Sequence, residues 1–295
     1  MERSFLAKLR SNGTAYSTGA LLLLVVIPAY QTFVLSPLGY SNALNAASGG
    51  NGAAYLAWIG VHTLSFLLYR GLIILAFALL VSLPFTLFRV IIAQELMGQD
   101  EREAEELAEE DGDEEGDDED DEAIDEGDDE DTGVGMPPFA WRGKGFAVIA
   151  AWSGIAGVVT YSVGTAASTL YLMTISNGIT ANATLSGTTL LFVSIFAILT
   201  NTVGIGLLAL STLFFGAIIA RSGSKLWPTS WVIFGYIALA VAALFSGSAV
   251  SVASAPTSGQ APLAAPAILL FAVWVLWLGV TLVRLKPEPV IELEA

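Results

Sequence analysis

A single block of carboxylates interrupts an otherwise apolar chain and decides how that chain is threaded. The 32 positions from Asp100 to Asp131 hold 23 of the 28 acidic residues, with Arg102 as the only base among them. Placing even one Asp or Arg at the centre of a membrane helix costs about 2.5–3.5 kcal/mol. The block therefore stays in water and divides the apolar remainder into two membrane parts.

The remainder is apolar enough to need a membrane. Hydrophobic residues make up 54% of the 295 positions, charged residues only 14%, and the mean hydropathy is +0.67. A water-soluble domain of this length spreads far more charge over its surface. Without the acidic block, which carries −22, the formal charge of −16 becomes +6, a cationic set of membrane flanks. No basic patch with interleaved aromatics is present, so nucleic acid is not an expected partner. The absence of cysteine excludes disulfides and thiolate sites, and a single histidine, His62, excludes a cluster of histidine metal ligands.

Hydropathy and charge together predict six transmembrane helices in an all-α, polytopic membrane protein. The first covers about 14–35 and follows Arg3, Lys8 and Arg10; its apolar core is too long for a cleaved signal peptide, so it is expected to be retained, with a kink at Pro28. Ser41 to Asn51 reads as an uncharged loop. The stretch that follows is too long for one crossing. Counting back 19 residues from Arg89 covers about 28 Å and brings Arg70 to the opposite interface, which gives a helical lead-in at about 53–69 and a second span at 71–92. The alternative span, 61–83 with a bend at Pro84, places Arg70 inside the membrane.

The segment at 100–140 is expected to be a disordered acidic loop ending in the Gly-Pro linker before Trp141. Further spans follow at about 145–173, 190–220, 229–252 and 264–283, then a short tail at 287–295. Eleven of the twelve bases fall on one side of this arrangement and Arg70 is the exception, while the three short loops on the other side carry no charge. The excess of Lys and Arg predicts a cell-membrane protein with both termini and the acidic loop in the cytoplasm.

Candidates for chemistry are few. No Asp or Glu falls in a predicted span, which argues against proton coupling through buried carboxylates. Arg70 and His62, eight residues apart, form one candidate: an Arg fork for an anionic headgroup or substrate, set against an Arg that merely snorkels to lipid phosphate. Thr200, Asn201 and Thr202, followed by Gly204 and Gly206, form the second: a broken helix with a polar site at mid-membrane, set against close glycine packing with one interhelical hydrogen bond. The small-residue pairs Ser153/Gly157, Gly164/Ser168, Gly216/Ala220 and Ala238/Ala242 are expected to be helix seams, within the monomer or in a homo-oligomer or with a membrane partner. The acidic block lacks the ligand spacing of a calcium loop, so any cations or basic cytoplasmic partner would be held diffusely. Asn182 lies in a glycosylation sequon in an uncharged loop, and Asn12 in one expected to be cytoplasmic. No nucleophile elbow, Walker loop, dinucleotide fingerprint or zinc motif occurs, so no enzymatic activity and no cofactor are expected.

With its acidic insert, its four lysines (Lys8, Lys144, Lys225, Lys286) and its helices rich in Ala, Gly, Val and Thr, the chain resembles multi-pass membrane proteins of salt-adapted archaea in composition. The resemblance implies a halophilic setting and names no functional residue. Two roles are expected: a non-enzymatic membrane scaffold or accessory subunit, or a small permease or channel for a neutral or anionic solute. A water-filled cavity at Asn201 or Arg70 would favour the second.

Overall fold

Six helices are long and apolar enough to cross a membrane: Ala7–Leu35, Thr63–Gln94, Gly145–Ser176, Gly187–Ser222, Thr229–Ser254 and Ala264–Arg284. The computed structural model describes residues 3–94, 138–254 and 263–285, and every regular element among them is helical. The expected acidic loop, the last uncharged loop and the C-terminal tail lie outside the described residues. The chain is a polytopic helical membrane protein. Its outward faces carry Phe33, Val61, Leu64, Leu170 and Val250, all largely exposed, as lipid contact requires.

Helix α1 runs as α-helix over Arg3–Leu21 and continues to Leu35 through wide π-helical turns at Leu22–Val26 and Gln31–Leu35. Pro28, between those turns, has no N–H to give and crowds the preceding carbonyls; the wider turn, with the Ile27 N–H bonded to the Leu22 carbonyl, accommodates it without ending the helix. Gly39 then turns the chain with φ 83°, a conformation open to glycine.

The loop expected from Ser41 to Asn51 is instead mostly a helix, α2 (Tyr40–Ser48), because Tyr40 and Ala43 form a buried face at helical spacing that the Ser and Asn residues conceal. Helix α3 (Gly52–Val61) follows, its first turn capped by the Asn51 side chain accepting from the Ala54 N–H at 3.2 Å. Together α2 and α3 form a cap over one end of the bundle. Leu35, Tyr40, Leu56, Trp58, Ile59 and Phe66 make its core, and the Trp58 indole donates to the Leu38 carbonyl at 2.7 Å.

The second span begins at Thr63, not near Gly71, and the break falls at His62 (φ −116°, ψ 37°). The cause is tertiary: a Cβ on Gly60 would stand 2.8 Å from the Ser176 carbonyl oxygen, so the chain bends where α3 meets the end of the next span. The Thr63 hydroxyl bonds back to the Ile59 and Gly60 carbonyls at 3.0 and 3.1 Å and so satisfies the acceptors the break releases. Helix α4 (Thr63–Leu79) is separated from α5 (83–94) by one turn ahead of Pro84, where the Leu80 carbonyl accepts from the Leu83 N–H because Pro84 has none to offer.

Helices α6 (Pro138–Ser176), α7 (Gly187–Leu226, with a π-helical turn at Ile198–Gly204), α8 (Thr229–Ser254) and α9 (Ala264–Arg284) complete the bundle. Neighbours pack in a closed ring, α1 on α4, α4 on α6, then α7, α8 and α9, with α9 returning to α1. The seam of α4 and α5 with α6 keeps one antiparallel register. Arg70 meets Ser168, Phe77 meets Tyr161 and Pro84 lies against Gly154, each step being seven residues on either side. Glycines set the close crossings elsewhere: Gly164 receives the Thr200 side chain, Gly157 lies on Gly204 and Leu208, and Gly216 lies on Gly235. Gly13 and Gly279 close the α1–α9 seam, where a Cβ on Gly13 would stand 2.8 Å from the Gly279 carbonyl oxygen.

Candidate functional site around Arg70

Arg70 sits seven residues inside the start of α4, about 10 Å along the axis, and is half-buried against α6. Its Nε donates to Thr169 Oγ1 at 3.1 Å and its Nη2 to Ser168 Oγ at 2.9 Å. Both hydroxyls donate their own protons to the Thr165 carbonyl, at 2.9 Å from Ser168 and 2.6 Å from Thr169, so their lone pairs face the guanidinium. The Phe66 ring lies 5.7 Å from Cζ and gives the cation a π face.

Aromatics of the cap cluster on the same side of the bundle. The Tyr40 ring lies 5.0 Å from Trp58, 5.9 Å from Tyr69 and 6.2 Å from Tyr55. Burial raises the Tyr40 hydroxyl above its ordinary range, with Tyr55 adding to the rise and Arg70 opposing it. Burial raises Tyr55 as well, again opposed by Arg70. Both remain neutral phenols at physiological pH, so neither supplies a negative charge to Arg70.

The other candidates are placed separately. His62 stands at the break before α4 with its ring 5.2 Å from Trp58, in the same aromatic cluster as Arg70 but two helical turns away. Thr200 is buried on Gly164, and its hydroxyl has no hydrogen-bond partner among the described residues. Asn201 lines a central cavity of about 10 Å³ with Tyr161, Ile205, Phe245 and Ser248, close to the least space that holds one water. Thr202 donates to the Ala249 carbonyl of α8 at 3.3 Å. The helix at 200–202 is widened into a π turn and is continuous on both sides. Asn182 is exposed between α6 and α7.

Ser168 and Thr169 are the functional neighbours the sequence does not single out. Ser168 is visible there only as half of a small-residue pair, and nothing local marks it as the partner of a residue 98 positions earlier. Comparison with family profiles, curated proteins and solved structures finds no match to this chain.

Proposed function

We propose that this protein is a non-enzymatic scaffold or accessory subunit of the cell membrane, with both termini and the acidic block in the cytoplasm. One observation supports this reading above the others: the centre of the ring is filled. Phe77 lies 4.3 Å from Tyr161 and 6.4 Å from Phe271, which lies 5.3 Å from Phe245, so four helices meet through aromatic side chains. The cavity beside them has room for about one water. The small-residue pairs are occupied within the chain, at Gly157, Gly164, Gly216 and Ala238, which leaves other faces for a second copy or a membrane partner. The acidic block, which follows the end of α5 in sequence, suits diffuse recruitment of cations or a basic partner and a salt-rich setting.

The π-helical turn beside Asn201 favours the second reading, a small permease or channel, since such turns recur at functional sites. Single cysteines at Asn201 and Arg70, in a chain that has none of its own, separate the two. The scaffold reading expects position 201 to resist a membrane-impermeant thiol reagent from both sides. Labelling there would show water at mid-membrane and give the permease reading precedence.

A further inference from the structure

Arg70 carries a charge that no described residue balances. No described residue is Asp or Glu. The acids of the sequence, at 2, 95, 100–131 and 288–294, all lie in segments that adjoin, in sequence, the helix ends opposite the cap, while 36–62 and 177–186, on Arg70's side, contain none. Arg89, near that opposite end, is 19 residues or about 28 Å from Arg70. A half-buried cation without a counter-ion is costly in a medium of low dielectric.

The guanidinium is also held in one orientation, with two of its five N–H donors used among the described residues. Thr169 and Ser168 occupy the Nε–Nη2 edge. The Nη1–Nη2 edge, the end-on fork that matches two oxygens of a phosphate, has no partner among the described residues. The Phe66 ring lies 5.7 Å from Cζ. Beside it the surface is open. Gly71 is exposed with no atom within 4 Å of a Cβ position, and Leu67, Leu68, Leu75 and Leu170 form an exposed apolar flank where acyl chains would lie.

We propose that Arg70, Ser168 and Thr169 form a binding site for a phosphate group, carried by the headgroup of a lipid in the leaflet on the capped side. The hydroxyls orient the guanidinium and the guanidinium binds the phosphate. The site is independent of the scaffold reading, because its ligand is a membrane component whatever the bundle does.

The test uses the full chain in detergent, stripped of lipid, with the variants Arg70→Gln, Arg70→Lys and the double change S168A/T169V. Phosphatidylglycerol is added in mixed micelles, with a phosphate-free galactolipid and inorganic phosphate as separate arms, and binding is read as a shift in melting temperature by tryptophan fluorescence. Phosphatidylglycerol is expected to raise the wild-type melting temperature where the galactolipid does not. Its apparent affinity should fall about tenfold or more in R70Q, and less in R70K, which keeps the charge and loses the fork. S168A/T169V should weaken binding with the charge intact. An equal shift from inorganic phosphate alone would overturn the lipid assignment in favour of a free oxyanion. Equal shifts in wild type, R70K and S168A/T169V would overturn the site, even if R70Q failed to fold.

Discussion

Gly216 and Gly235 face each other where α7 crosses α8, so closely that a Cβ on Gly216 would lie 2.8 Å from the Gly235 carbonyl oxygen. Van der Waals packing holds membrane helices together because lipid is as apolar as the side chains it would replace. A larger residue here separates the two backbones. Gly216→Leu is expected to destabilise the bundle by about 1–3 kcal/mol, the usual cost of overpacking, measured by denaturation in micelles. Gly206→Ala supplies the contrast, since no atom stands within 4 Å of its Cβ position and the higher helix propensity of Ala should leave the bundle no less stable. Equal losses at both positions would show that the crossing does not set the packing.

Tyr16 ties α1 to the interrupted second span. Its hydroxyl lies 2.9 Å from Ser82 Oγ and 2.7 Å from Thr86 Oγ1, and Asn12 donates to Thr86 at 3.1 Å, all beside the turn ahead of Pro84. A double-mutant cycle of Tyr16→Phe with Thr86→Val should give a coupling of about 0.6 kcal/mol, the average for such bonds between membrane helices. A coupling near zero would mean that the Tyr16–Thr86 bond does not hold α1 to the turn.

The spans are legible in the sequence because hydropathy and flanking charge are local signals. Arg10, Arg89, Arg221 and Arg284 mark one end of the helices by their spacing alone. What the sequence hides depends on contacts between distant residues. The break at His62 carries no proline and no glycine of its own, and arises from Gly60 meeting Ser176. Helix α2 carries Ser and Asn at four of its nine positions, residues that favour turns when alone, and the buried Tyr40 and Ala43 override that preference. Arg70 stands out as an unusual charge, whereas its partners resemble every other Ser and Thr of α6.

The cap should respond to alkaline pH. Burial raises the Tyr40 and Tyr55 hydroxyls above the ordinary value of about 10, so the unfolded chain releases those protons first. Stability from these neutral phenols is complete below about pH 10 and is lost as the pH rises toward their folded-state values. In an ultraviolet titration of tyrosinate, Tyr40→Phe is expected to remove a late-titrating group and leave the early part of the curve unchanged. Loss of an early group would show that water reaches Tyr40.

The proposed orientation places the cap outside the cell, and the two sequons test it against each other. Asn182 is exposed between α6 and α7, where a glycosylating enzyme on the cap side has access. Asn12 lies within helix α1, donates to Thr86, and precedes a glycine packed on Gly279, so its sequon is closed by packing as well as by side. Synthesis into glycosylation-competent microsomes should give one modified form that disappears in Asn182→Gln and persists in Asn12→Gln. Single cysteines check the sides without sugar: an impermeant reagent applied to intact cells should label Asn182→Cys and leave Arg221→Cys unlabelled until the membrane is opened. The reverse pattern would place the cap in the cytoplasm and the positive ends outside, against the charge bias that set the orientation.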